Sequence, residues 1–181
     1  MFTRRTSAAA LAILAALSMS VISGISTIAR ADETLTGRRV TGGGQYTDVF
    51  LSPGTVAVVA VHAIRHQDGT VTGQVDQHYP EFGVSVHGEV KCLFVAGNRA
   101  YLSGIITDVQ QTSNNPIASF YPVGTYFVLA IEDSGEGHNS SPDRVSVLYP
   151  LDTLVDCAGP EALYAEDFYT LLTKGNLQVV P

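Results

Sequence analysis

Apolar and polar residues alternate with a period of two through Val71–Tyr79 (VTGQVDQHY) and again from Val84 to Lys91 (VSVHGEVK). That period marks strands with one buried and one wet face. Over residues 71–106 the pattern predicts an antiparallel meander of three strands, with Cys92 in the middle one. A turn through residues 80–83 pairs Tyr79 with Val84, Gln77 with Val86 and Val75 with Gly88 on one face. The other face then carries Asp76 opposite His87, Gln74 opposite Glu89 and Thr72 opposite Lys91. Gly97-Asn98 is a two-residue hairpin turn that brings Leu93 to Leu102 and Phe94 to Tyr101. Both faces are apolar at that end, so the sheet is predicted to curl and to be covered on both sides.

Around this meander the rest of the chain reads as further strands. Residues 55–65 (TVAVVAVHAIR) are β-branched and of strand length. A three-residue loop with Gly69 in the left-handed position sets Val61 against Val75 and Ala63 against Gly73, keeping apolar with apolar. Residues 110–122 are a polar loop bearing Asn and Pro, 126–131 a strand, and 132–143 an acidic turn feeding a strand at 144–149. Tyr164, Phe168 and Leu172, four apart after Pro160, predict a short helix over 160–173, and 177–180 form a last strand. Eight or nine strands with short turns make an all-β domain. In-strand glycines and the curled meander favour a single antiparallel β-barrel, with a β-sandwich as the alternative.

The first 31 of the 181 residues stand apart from that domain. Arg4-Arg5, an apolar run and Ala29-Arg30-Ala31 have the order of a secretory signal peptide cut before Asp32, leaving 32–181 as one exported domain. Ser18, Ser20, Ser23, Gly24 and Ser26 interrupt the run, against a retained anchor and against membrane insertion after cleavage. Thr6-Ser7-Ala8 lacks a bulky apolar residue after the arginine pair, so general and twin-arginine export both stay open. Loss of Arg4, Arg5 and Arg30 takes the net charge from −7 to −10. Such a surface repels nucleic-acid phosphates and anionic headgroups; cations, neutral molecules and basic proteins are the favoured partners. Cys92 and Cys157, alone in an exported chain, predict one disulfide.

Candidate chemistry is sparse. Gly42-Gly43-Gly44 lacks the GxxxxGK[ST] and GxGxxG settings of phosphate loops and reads as a bulge or close strand approach. Glu132, Asp133, Glu136 and Asp143 are hard oxygen donors suited to Ca²⁺, without EF-hand spacing; a solvated turn is the plainer reading. The predicted registers put His62, His78 and His87 on one wet face, with Asp76 beside His87 and with Gln74 and Ser85 facing the other two. That is a possible polar, acid/base or metal site. Scattered polar residues on a wet strand face are the alternative reading. Tyr79, Tyr101, Tyr121 and Tyr126 can line a ligand cavity or simply fill a core. Asn139-Ser140-Ser141 fits a glycosylation acceptor. GxSxG and HExxH are absent.

Several short motifs recur in one order: Gly42-Gly43-Gly44; Gln67-Asp68-Gly69 with Val71, Gly73 and Gln74; Val86-His87-Gly88 with Val90 and Cys92-Leu93; Gly97-Asn98 with Ser103-Gly104; Glu132-Asp133 with Gly135-Glu136-Gly137; Pro142-Asp143-Arg144-Val145-Ser146; and Gly175-Asn176-Leu177-Gln178-Val179. In this order the mature chain resembles the small secreted bacterial β domains of the post-COAP type, common in exported actinobacterial proteins. It departs from them at Asp133-Ser134-Gly135, where they carry Asp-Asn-Gly, and in an extra stretch over 161–173. The resemblance implies fold and export and carries no activity. Two functions follow as expectations: a non-catalytic extracellular binding or structural module, or a barrel that binds or isomerises a small apolar molecule in an internal pocket.

Overall fold

Every second residue of the long strands turns inward, and the sheet they form closes on itself. In the computed structural model, residues 37–112, 115–136 and 140–181 are described. The expected signal peptide, its cleavage site and Asn139 lie outside them. The strands are β1 (Arg39–Thr47), β2 (Val56–Arg65), β3 (Val71–Tyr79), β4 (Val84–Ala96), β5 (Arg99–Gln111), β6 (Tyr126–Glu132), β7 (Arg144–Val145), β8 (Tyr149–Leu151) and β9 (Thr170–Val180). Their order is β5-β4-β3-β2-β1-β9-β7-β6, and β6 pairs back onto β5. This is a closed eight-stranded antiparallel barrel, with β8 lying outside it on β6. Among the described residues no helix reaches seven residues.

The meander holds the expected register. Val75 faces Gly88, Asp76 faces His87 and Gln77 faces Val86; Val61 faces Val75 and Ala63 faces Gly73. Gly69 takes a φ of +81°, as the three-residue loop requires. The glycine triplet lies inside β1, between β2 and β9. A Cβ on Gly43 would stand 2.4 Å from the Val59 carbonyl oxygen, so close strand approach explains it.

Four expectations differ. A bulge that places Thr107 between two pairings extends β5 to Gln111, so the polar loop starts later than residue 110. The strand expected at 144–149 splits, because Arg144–Val145 also pairs with β9 whereas Tyr149–Leu151 stays on β6 outside the barrel. The helix over 160–173 is one α-turn, Pro160–Leu163, followed by 3-10 structure over Tyr164–Phe168. From Thr170 the chain is already β9, because pairing of Leu172 with Tyr46 of β1 outweighs its helical spacing.

Inside, Phe127, Leu93, Leu102, Leu129 and Ile131 are fully buried. The Phe127 ring occupies the space that side chains at Gly88 and Gly104 would need. A second apolar cluster covers the outer face of β5 and β6: Tyr101, Val128, Ala130, Cys157, Ala162 and Ala165, with Phe94 packed against it. Residues 155–169 supply its lid, so this end of the sheet is covered on both sides, as its sequence implies. A bulge between Val90 and Cys92 reverses the inward alternation, so Leu93 rather than Cys92 points inside. Cys92 therefore faces the lid, where it forms a disulfide with Cys157 (Cα–Cα 5.8 Å).

Two predictions follow from this packing. Gly104→Ala places a Cβ 2.1 Å from the Glu89 carbonyl oxygen and 2.7 Å from the Phe127 ring. It should lower unfolding free energy by about 1–3 kcal/mol in urea denaturation. Cys92→Ser/Cys157→Ser should lower it by about 2–5 kcal/mol, with intact-mass analysis of the unreduced parent protein finding no free thiol.

Candidate functional site

The outer face of β3, β4 and β5 gathers three of the side chains singled out in the sequence, Asp76, His78 and His87, with other polar residues. Asp76 and His78 stand on β3, Ser85 and His87 on β4, and Asp108 and Gln110 on β5. Together they line a groove of about 440 Å³. The meander register sets Asp76 opposite His87 and His78 opposite Ser85. The bulge at Thr107 then sets Asp108 on the other side of His87. His87 is thus flanked by carboxylates on both neighbouring strands.

Hydrogen bonds fix both imidazoles in the same tautomer. His87 Nδ1 lies 2.5 Å from an Asp76 carboxylate oxygen, which can only accept, so Nδ1 carries the proton. His78 Nδ1 donates to the Val84 carbonyl at 3.0 Å and lies 2.9 Å from Ser85 Oγ. In the neutral form each ring therefore keeps its lone pair on Nε2. His87 and Asp76 are 41% and 49% exposed, so water screens their attraction; the pair orients the ring more than it stabilises the fold. His62 shares this face but sits on β2 opposite Gln74, outside the groove.

The acidic turn is arranged differently. Asp143 accepts from the amides of Ser134 at 2.9 Å and Leu177 at 2.7 Å. Asp133 accepts from Gly135 and Val179. Glu136 accepts from the Asn176 and Gln178 side chains, and Glu132 pairs with Arg99 and Arg144. The four carboxylates serve four sets of protein donors. Among the described residues, only Cys92, Asp156 and Cys157 bring three metal-ligating atoms within 4.8 Å of one another, and those cysteines form the disulfide.

A third constellation lies inside the barrel, at the end carrying the β1–β2, β3–β4 and β5–β6 connections. The Asp48 carboxylate accepts from the amides of Phe50, Leu51 and Ser52 and from the Tyr79 hydroxyl at 2.8 Å. Gln77 donates to Tyr79 and Tyr121 and accepts from the Leu148 amide. The Tyr46 hydroxyl is buried beside Tyr79, Tyr121 and Asp48, and makes no hydrogen bond of good geometry among the described residues. Burial pushes the Tyr46, Tyr79 and Tyr121 phenols well above their ordinary range, so all three stay neutral donors. Of the four tyrosines singled out in the sequence, Tyr79 and Tyr121 meet here. Tyr101 packs under the lid and donates to Glu166, and Tyr126 is half-buried on β6.

Asp48, Tyr46, Gln77, Asp108 and Gln110 were not marked by the sequence patterns. Gln77 had a signal: it is the polar member of the inward row Val75, Gln77, Tyr79. Asp108 had none, because its place depends on a bulge.

The acidic turn yields a test. Asp143→Ala leaves two amides without acceptors, one of them buried, and should destabilise the fold by about 2–4 kcal/mol. The melting temperature of the parent protein should be the same in excess Ca²⁺ and in EDTA; a rise in Ca²⁺ alone would restore these carboxylates as ligands.

Comparison with protein-family models, with curated proteins and with solved structures finds no match to this chain.

Proposed function

We propose that this protein is an exported, non-catalytic β-barrel module that binds through the outer β3–β4–β5 groove. One observation carries the reading: six polar side chains from three strands converge on a single open groove, while the barrel interior is occupied by buried apolar side chains. The groove mixes carboxylates with neutral donors and acceptors and contains no Lys or Arg. Together with a chain charge of −7 it suits a cation, a neutral polar molecule or a basic segment of a cell-surface partner, and repels phosphate. The disulfide fits an oxidising compartment, and the likeness to small exported post-COAP-type domains points the same way. The His78 nitrogen nearest Ser85 Oγ carries its proton toward the Val84 carbonyl and so is not placed to take the hydroxyl's, which favours binding over turnover.

A second reading has its own observation. The Asp48, Gln77, Tyr79 and Tyr121 network, with the buried Tyr46 hydroxyl beside it, could orient a small molecule admitted at that end of the barrel.

One titration separates the two. Isotope-labelled protein is followed by amide NMR while Zn²⁺, chitotriose or hexalysine is added separately. At least one probe should shift the amides of residues 76–78, 85–87 and 108–110 and be recovered unchanged. Shifts confined to residues 46–48, 79 and 121, or no shift with any probe, would overturn the groove reading.

A further inference from the structure

The groove holds a donor set with a narrower preference than its charge alone gives. His78 and His87 both line it, on neighbouring strands and two residues out of direct register, with Asp108 directly across from His87. Diagonal partners on an antiparallel pair lie about 7–8 Å apart, within reach of two long side chains leaning toward each other. The His78 ring already leans over β4, where its Nδ1 meets the Val84 carbonyl and Ser85 Oγ.

Each imidazole is also prepared for a metal. Metal-binding histidines characteristically donate the ring N–H that is not coordinating to a carboxylate or a backbone carbonyl, which fixes the tautomer and makes the other nitrogen more basic. Asp76 does this for His87 and the Val84 carbonyl does it for His78. Among the described residues, both Nε2 lone pairs are left without a protein partner. Two neutral imidazoles and one carboxylate suit Zn²⁺, Ni²⁺ or Cu²⁺, whereas Ca²⁺ and Mg²⁺ take oxygen ligands. The three donor atoms are not drawn together within 4.8 Å in the structure. The imidazoles are held by their Nδ1 hydrogen bonds, so closing on an ion moves the exposed Asp108 carboxylate away from the Gln110 side chain, and an open groove leaves further positions to water.

We infer that the β3–β4–β5 groove is a surface site for a divalent transition metal, with His78 Nε2, His87 Nε2 and Asp108 as ligands and Asp76 as the residue positioning His87. The inference rests on the reading of this groove as the binding face and names its ligand. Ca²⁺ at the acidic turn is a separate matter, because that turn involves none of these residues.

The test uses untagged protein expressed from the full chain and titrated calorimetrically with ZnCl₂ or NiCl₂, with CaCl₂ and MgCl₂ as controls. Zn²⁺ or Ni²⁺ should bind one per chain and Ca²⁺ and Mg²⁺ should not compete. Each of His78→Ala, His87→Ala and Asp108→Asn should weaken binding at least about tenfold, and Asp76→Asn by about 10–100-fold as a positioning residue. His62→Ala should bind as the parent does. Because the ligands are surface residues, melting temperatures of the metal-free variants should match the parent, which separates loss of a ligand from loss of the fold. Equal Zn²⁺ affinity in the His78→Ala/His87→Ala variant, or no uptake by the parent at millimolar Zn²⁺, would overturn the inference. If chitotriose or hexalysine still shifts the groove amides in that event, the metal site fails and the binding face stands. If nothing shifts them, both fail.

Discussion

The barrel depends on a seam that backbone pairing alone does not close. β7 contributes two residues against β9, pairing Arg144 with Leu171 and Val145 with Thr170. Beyond them the outer edge of β9 would present unpaired amides, which buried backbone cannot tolerate at low cost. The acidic turn supplies the acceptors. Asp143 takes the Leu172 amide on its carbonyl and the Leu177 amide on its carboxylate, and Asp133 takes the Val179 amide. Carboxylates stand where a longer strand would otherwise pair, and Asp143 is accordingly almost fully buried against the β9 backbone.

Closure fixes the volume inside, and the glycines are set by that volume. Phe127 crosses to β4 and β5 and lies against Gly88 and Gly104, so one aromatic ring fills space from three strands. Inside, polar groups gather at the end near Asp48, where each carboxylate oxygen has a donor and the phenols are held neutral by burial. The Tyr46 hydroxyl lies beside that network, buried and without a hydrogen bond of good geometry among the described residues.

The outer face is organised by the same register but carries no packing duty at β3–β5, in contrast to the opposite end of the same strands, where the disulfide-tied lid covers Phe94 and Tyr101. The division follows the two bulges. The one before Cys92 turns it outward to the lid, and the one at Thr107 turns Asp108 toward His87. Between them they separate a structural outer surface from an open, polar one.

How far the chain could be read from its residues follows from range. Alternation and turn chemistry are local, so the meander, the Asp76–His87 pairing, the three-residue loop at Gly69 and the all-β class were all legible before any coordinates. The disulfide was legible because the chain has two cysteines, which in a chain expected to be exported have only each other. Where competing local and distant preferences met, the distant one prevailed: helical spacing over 160–173 yielded to strand pairing of Leu172 with Tyr46. Two of the four acidic-turn carboxylates, Asp133 and Asp143, also accept from backbone amides of β9, an edge more than thirty residues away that no local pattern records. The groove is intermediate. Its histidines were placed by period-two alternation, but Asp108 reached them through a one-residue bulge. A bulge inverts which face each later residue occupies, and the energy that selects it comes from packing across the closed barrel, where no local pattern records it.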